Sequence, residues 1–363
     1  MLLPVAFDCI VIIQRNRIAS ESGTGIVEWD DLLEEAAAAN VKDTKGEYLV
    51  MGFSPRWNKD LLAALPLAAG TSFTENARWK PSSIQEIPVD SAASLSSPSS
   101  VEASVSSAAV GDKISSPELT ASVLPFAWKQ GSLGTSVLEA ARWSREANGS
   151  VELENAFWYR FGTRPGYRLV LDGLAKFWPM KASAYFGLPV DVRSRLEYRY
   201  LVKDGACVLL PDVRYAALPA RAPNQRAAYA FLRWLSSPDT LQQLNTFMQE
   251  SGIAAGRFGI FGGFPALVAF TEKNMKSMFP DYTKNPLQAE LVPQPSRLPP
   301  FWGEVSREFV EPWMTEMLDG KAITLDASAI EAAFTRAAIH HLATLPDWLE
   351  AYSMQANGAA QNR

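Results

Sequence analysis

Residues 157–178 read FWYRFGTRPGYRLVLDGLAKFW, and they carry more information about the fold than any other stretch of the chain. The aromatic residues of 157–161 recur at helical spacing, residues 162–166 predict a glycine turn, and Tyr167–Asp172 predicts a strand. Phe177 and Trp178 follow that strand. Because open α/β sheets place their ligands beyond the carboxyl ends of strands, the stretch predicts a binding site rather than a catalytic one.

The composition is that of an ordinary globular protein. The chain has 363 residues, of which 47% are hydrophobic and 20% charged, so two lobes are expected. The net charge of −5 and the scattered lysines and arginines do not favour nucleic acid or an anionic membrane as a partner. Eleven tryptophans and eighteen phenylalanines exceed what a modest core requires, and aromatic faces can stack on sugar rings or flat organic ligands.

The two cysteines exclude a disulfide framework and an all-cysteine metal site. Cys9 and Cys207 each lie in a strand-like run, which predicts buried free thiols, with a single bridge between them as the alternative. Met1–Ile13 is apolar, but Asp8 interrupts it and the basic residues follow it, so no signal peptide is recognisable. No run is long enough to span a membrane, and by itself the chain has a cytoplasmic pattern.

Strands and helices alternate along the chain, which predicts an α/β fold. The expected strands are Leu2–Ile13, Tyr48–Phe53, Tyr167–Asp172, Arg195–Leu201 and Cys207–Leu210. The expected helices are Trp29–Ala39, Leu61–Ala69, Ser132–Glu146, Asn155–Phe161, Asn224–Leu235, Leu267–Ser277, Gly303–Asp319 and Ser328–Leu345. Residues 81–122 are rich in serine and poor in aromatic residues, which predicts a disordered insertion.

The sequence contains no familiar catalytic motif. It lacks the nucleophile elbow, the phosphate-binding loop and the zinc-binding helix pattern, and no catalytic residue, metal or cofactor is predicted. His340 and His341 are neighbours on a predicted helix and point about 100° apart, so they cannot bind one metal ion together or share one proton transfer. Carboxylates are numerous, but no spacing selects an acid/base pair.

The order of elements resembles the later part of family 1 extracellular solute-binding proteins, the maltose-binding-protein-like components that capture substrates for bacterial ABC importers. Leu3–Asp8 is similar to the first interlobe crossing, and Trp29–Leu33 to an element that opens a helix. Phe161–Trp178 is similar to the segment that ends in the binding tryptophan. Tyr229–Asp239 matches a helix and its Ser-Pro turn, and Phe301-Trp302 matches the last stacking position.

Four features depart from that family pattern. Gln14-Arg15-Asn16 stands where many relatives have Tyr-Asn-Lys, and Val27-Glu28 replaces a proline and a threonine. The family normally begins with a signal or lipoprotein segment and then residues that build half of the amino-terminal lobe, and the resemblance starts after them. The serine-rich segment has no expected counterpart. An incomplete amino-terminal lobe is therefore expected.

The resemblance implies a two-lobed, type II periplasmic-binding-protein-like α/β fold. It divides the chain into a hinge strand (1–7), a carboxyl-terminal-type lobe (8–80, 123–200 and 293–363), the serine-rich insertion (81–122) and the remainder of the amino-terminal-type lobe (201–292).

The implied function is capture of a small solute, with a saccharide favoured, and delivery to the membrane permease subunits of an ABC importer. The protein would be monomeric, periplasmic or extracellular, and membrane-anchored in a full-length form. The implied ligand contacts are Trp178, Trp302, Trp57, Asp8, Arg56, Phe177, Phe301 and Tyr215. The alternatives are a carbohydrate-active hydrolase, which needs two carboxylates about 5 to 9.5 Å apart, and a sensor or interaction module derived from such a receptor.

Overall fold

The computed structural model describes residues 2–16, 25–75, 126–128, 132–218, 221–252, 258–295, 298–299, 301–320 and 325–343. The chain forms two compact units, the first from Met1–Ala69 and Glu139–Pro295 and the second from Gly70–Leu138 and Ser296–Arg363. The fold is mixed α/β, as expected. Assignment of residues to amino- and carboxyl-terminal-type lobes stays a prediction, and the expected disordered segment 81–122 lies outside the described residues.

The strands are β1 (Leu2–Phe7), β2 (Ile10–Arg15), β3 (Ile26–Glu28), β4 (Val41–Lys42), β5 (Tyr48–Val50), β6 (Phe73–Glu75), β7 (Phe126–Trp128), β8 (Phe177–Lys181), β9 (Leu196–Lys203), β10 (Ala206–Cys207), β11 (Arg214–Ala217) and β12 (Phe264–Pro265).

The α-helices are α1 (Trp29–Ala39), α2 (Lys59–Ala68), α3 (Ser132–Arg142), α4 (Val151–Phe161), α5 (Gly166–Leu171), α6 (Ala182–Phe186), α7 (Val190–Arg193), α8 (Gln225–Leu235), α9 (Pro238–Glu250), α10 (Val268–Met278), α11 (Trp302–Val305), α12 (Glu311–Leu318) and α13 (Ala327–Ala343). Among the described residues, no helix is long and apolar enough to cross a bilayer.

The core of the first unit is built on a five-stranded sheet. Its strands run in the order β10-β9-β2-β8, and β3 pairs in parallel with β9. Strand β2 lies between β8 and β9, and residues 10–13 are fully buried. A continuous run of β-branched residues suits a strand that is covered on both faces.

The expected single strand Leu2–Ile13 is in fact two strands that belong to different sheets. β1 pairs with β11 and β12 in a three-stranded sheet, whereas β2 lies in the five-stranded sheet. The chain passes from one sheet to the other at Asp8. The Asp8 carboxylate accepts hydrogen bonds from the backbone N–H groups of Cys9 and Ser183. The polar interruption in the sequence therefore marks the crossing.

The expected strand Tyr167–Asp172 is wrong, because this segment forms helix α5. Pro165 precedes the helix and fits its start, and Leu169, Val170 and Leu171 are all buried. A short apolar run is compatible with either a buried strand or a buried helix. The strand of this region is β8, so Phe177 and Trp178 begin a strand instead of following one.

The second unit has an aromatic core around the β6–β7 hairpin. Phe73 and Phe126 pack on Trp302, and Trp128 packs edge-on against Phe334 of α13. Glu331 of α13 is buried and accepts hydrogen bonds from Trp128 Nε1 (2.8 Å) and the Gly134 backbone (2.9 Å). These bonds satisfy a carboxylate that would otherwise be costly to bury.

Cys9 and Cys207 are both buried and free, which confirms the prediction of free thiols over a bridge. Burial raises the pKa of Cys9, and it raises the pKa of Cys207 to about 12. Both thiols are therefore protonated at neutral pH.

Candidate ligand-binding site

Three tryptophans from separate elements of the first unit form one cluster with nearly parallel rings. The ring centroids of Trp57 and Trp158 lie 5.3 Å apart, those of Trp57 and Trp178 6.2 Å, and those of Trp158 and Trp178 6.1 Å. The interplanar angles are 22°, 19° and 12°. Trp57 also stacks on Phe157, at 5.4 Å and 15°. We call Trp57, Trp158 and Trp178 the tryptophan platform.

Two glycines of the turn at 162–166 allow the backbone to approach the platform. A β-carbon on Gly162 would lie 2.6 Å from Trp158 Cδ2, and one on Gly166 would come closer still to the Trp178 ring. Neither position has room for a side chain. The turn in the quoted stretch therefore packs against the two tryptophans that the same stretch supplies.

The three rings differ in their exposure to solvent. Trp178 is 9% exposed and belongs to the main core cluster, whereas Trp57 and Trp158 are half-buried. Trp57 and Trp158 are therefore more accessible to solvent than Trp178, which lies in the core. Trp158 was not among the predicted contacts, although it lies in the quoted stretch, because its helical spacing with Phe157 and Phe161 favoured core packing.

Arg56 lies beside Trp57 but is held within a buried ion pair. Its Nη1 lies 2.7 Å from Glu154 Oε2, and the two side chains are 5% and 0% exposed. Glu154 also accepts hydrogen bonds from Ser144 Oγ (2.8 Å) and Asn148 Nδ2 (2.6 Å). This network anchors the Pro55–Trp57 turn to helix α4, so Arg56 positions Trp57.

A second link fixes the turn to the sheet. Asn58 Nδ2 donates to the carbonyl of Pro179 on β8 at 2.8 Å, and its Oδ1 caps helix α2 by accepting from Leu61 N, also at 2.8 Å. The turn that carries Trp57 is thus fixed to the strand that carries Trp178.

Asp8 lies at the crossing between the two sheets. Its carboxylate accepts hydrogen bonds from Cys9 N (2.9 Å), Ser183 N (3.2 Å) and Ser183 Oγ. Burial raises the pKa of Asp8 to about 6, against the lowering effect of these bonds. The requirement that a buried carboxylate find partners is met by backbone amides and one hydroxyl.

Lys181 ends strand β8 near Asp8 and pairs with Asp60, whose Oδ1 lies 3.1 Å from Lys181 Nζ. Burial alone would lower the pKa of Lys181, but Asp60 together with Asp212 and Asp8 outweighs burial, and the pKa is raised. Side-chain alternation along β8 directs Trp178 and Lys181 to opposite faces of the sheet. The platform and this charged group are therefore separate features.

The other predicted contacts of the first unit lie apart from the platform. The Arg199 guanidinium and the Lys176 ammonium each lie 5.5 Å from the centroid of the buried Phe177 ring. Tyr215 is 40% exposed on β11, opposite Pro4. The structure thus brings together Trp57 and Trp178 of this group, and not Phe177 or Tyr215.

Phe301 and Trp302 belong to the second unit, where both are buried. The Trp302 ring lies 4.1 Å from Phe73 and 5.9 Å from Phe126, centroid to centroid. Both stay predicted ligand contacts.

A separate apolar cavity of about 210 Å³ lies in the first unit beside the three-stranded sheet. It is lined by residues that include Pro4, Phe7, Leu209, Pro265, Leu287 and Val292, and by none of the predicted contacts. Within the described part of the chain, no group of three or more His, Cys, Asp or Glu residues could hold a metal ion.

No protein-family model matches the chain, and a comparison with curated proteins finds no match. Among solved structures, the chain is similar to the maltose/maltodextrin-binding domain MalE from Bdellovibrio bacteriovorus bound to maltotriose. The identity is 13%, the match covers 93% of this chain and 71% of that one, and the TM-score is 0.43. It is also similar to a sugar transporter from Rhizobium etli in an open conformation, with 11% identity, coverage of 92% and 71%, and a TM-score of 0.49.

Proposed function

We propose that this chain is a solute-binding protein that holds a small molecule, with a saccharide favoured, against the tryptophan platform. The observation that carries the proposal is the parallel arrangement of Trp57, Trp158 and Trp178, two of which are half-buried. Ligand sites are lined mainly by aromatic and apolar side chains with a few placed polar groups. Aromatic rings supply large contact areas at fixed geometry.

The anchoring of the platform supports binding over simple core packing. Trp57 is held by the Arg56–Glu154 ion pair on one side and by the Asn58–Pro179 bond on the other. A surface that is fixed before the ligand arrives loses little conformational entropy on binding. The buried network therefore has a role in binding if the half-buried rings are the contact surface.

The finer role that we propose is that of the substrate-binding component of a bacterial ABC importer. The protein would act as a monomer in the periplasm or outside the cell and pass its solute to membrane permease subunits. The family resemblance of residues 3–8, 161–178, 229–239 and 301–302 supports this role. The proposal assigns binding without chemistry.

Thermal-shift screening against glucose, maltose, maltotriose, polyols, polyamines and phosphate esters tests the proposal. A ligand at 100 times its Kd should stabilise the protein by about 2.7 kcal/mol, and the stabilisation should go on rising with the logarithm of the ligand concentration. Chromatography of the incubated ligand should recover it unchanged. Absence of any concentration-dependent shift contradicts solute binding, and cleavage of an oligosaccharide favours the hydrolase alternative.

A further inference from the structure

Helix α8 carries three exposed aromatic side chains that no described part of the chain covers. None of its residues is buried, and Tyr229, Phe231 and Trp234 are 51%, 55% and 51% exposed. Soluble proteins rarely expose several large aromatic side chains close together, and where they do, the surface is usually a site of interaction.

The helix itself is well formed. Asn224 caps it by accepting a hydrogen bond from Ala227 N at 3.0 Å. It packs against α9, which in turn packs against α10, so α8 is the outermost of the three. Its half-buried residues include Ala228, Leu232 and Leu235.

Two of the exposed aromatic side chains form a single patch. The rings of Phe231 and Trp234 lie 5.6 Å apart, as expected for residues three apart on a helix. At 100° per residue, they project on the side of the helix next to its half-buried row. The patch is therefore part of one continuous apolar face.

The segment of sequence that contains this helix is basic, although the whole chain is acidic and its overall charge does not favour an anionic membrane. Between Asp212 and Asp239 the sequence contains four arginines, at 214, 221, 226 and 233, and no acidic residue. Arg226 and Arg233 are exposed on α8 itself, seven positions apart and so on the same flank of the helix. The net charge of −5 reflects acidic residues elsewhere in the sequence.

We infer that helix α8 docks on an anionic lipid surface. Helices that lie in a membrane interface combine large apolar side chains with Lys or Arg, and the exposed side of α8 has this combination, with the aromatic patch beside the two arginines. Anionic lipids supply the negative charge that the segment lacks. A second copy that paired through the same face would add two further arginines and no carboxylate from the helix.

This inference goes beyond the proposed solute binding and is tested separately. The full chain is mixed with vesicles of phosphatidylcholine containing about 30% phosphatidylglycerol and with vesicles of phosphatidylcholine alone, and bound protein is measured by flotation. We expect binding to the anionic vesicles that weakens as salt rises, because the charged component is screened.

Two double variants separate the contributions. Phe231→Ser with Trp234→Ser should abolish flotation, and Tyr159→Ser, which changes a residue that is 93% exposed on helix α4, should leave it intact. Arg226→Gln with Arg233→Gln should weaken binding about 30-fold, since each arginine near an anionic surface contributes about fivefold. Arg145→Gln with Arg160→Gln changes the net charge equally and should have little effect.

Circular dichroism must show unchanged folding for each variant, and light scattering gives the mass of the protein alone. Failure of the wild type to float with anionic vesicles overturns the inference. A concentration-dependent dimer that Phe231→Ser with Trp234→Ser dissociates also overturns it, because the face would then be an interface between copies.

Discussion

Gly166 lies so close to Trp178 that a β-carbon on residue 166 would stand 1.9 Å from Cε2 of the indole ring. The glycine is therefore required by space, and its backbone covers one part of the ring. This contact links the turn at 162–166 to the tryptophan platform and makes the position of Trp178 sensitive to a single methyl group.

Gly166→Ala should destabilise the protein by about 1 to 3 kcal/mol, because the added methyl group overpacks the site. Denaturant unfolding measures the loss. Gly303→Ala is the matched control, since a β-carbon there meets nothing within 4 Å, and it should be neutral or slightly stabilising. Trp178→Leu in the Gly166→Ala background should recover part of the stability. A fully additive double variant would show that the clash is absent.

Arg56→Met should destabilise the protein by about 3 to 5 kcal/mol, because it leaves the carboxylate of Glu154 buried without its cation. Combining it with Glu154→Gln should cost less than the single change. Arg142→Met is the control, because its pair with Glu146 is about half exposed, and such pairs contribute about 0.2 to 1 kcal/mol. Equal losses at positions 56 and 142 would contradict the anchoring role.

Asp8 should make stability depend on pH in the mildly acidic range. Its pKa is raised from 3.8 to about 6 by burial, so the folded state binds the proton more tightly than the unfolded state. The contribution is full below pH 3.8 and is lost as pH rises through about 6, which corresponds to about 3 kcal/mol.

Asp8→Asn should remove this contribution, since the amide does not titrate. The measurement is the free energy of unfolding of both proteins at intervals between pH 4 and pH 7. The wild type should lose stability with rising pH relative to the variant. A difference that is constant across the range would show that Asp8 does not carry the effect.

Much of the helical structure could be predicted from local pattern. Helix α1 has the predicted bounds, and α8 starts one residue after the predicted start because Asn224 is its cap. In both, the apolar spacing and the residues near the amino end agree. Local propensity and packing thus give the same answer there.

The strands of the quoted stretch could not be located in this way. The run Leu169–Leu171 is equally suited to a buried helix, and the choice depends on packing around α5 that the local sequence does not encode. The break at Asp8 was visible only as a single polar residue. The structural role of Asp8 depends on its hydrogen bond with Ser183, which is far away in sequence.

The candidate site was predicted only in part, because long-range contacts bring its residues together. Trp57 and Trp178 were both candidates, but their proximity results from the Asn58 and Arg56 contacts, which are long-range. Trp158 was missed because helical spacing alone cannot distinguish a core aromatic residue from one at the edge of a binding surface.

The most direct test of the central claim is the affinity of the purified chain for its best-binding saccharide, by calorimetry, in tryptophan variants. Trp57→Ala and Trp158→Ala should each weaken binding about tenfold or more, because each removes a contact area that aromatic residues supply. Trp234→Ala, at a tryptophan outside the platform, should leave the Kd unchanged. Unchanged affinity in both platform variants, with folding intact, would contradict the account.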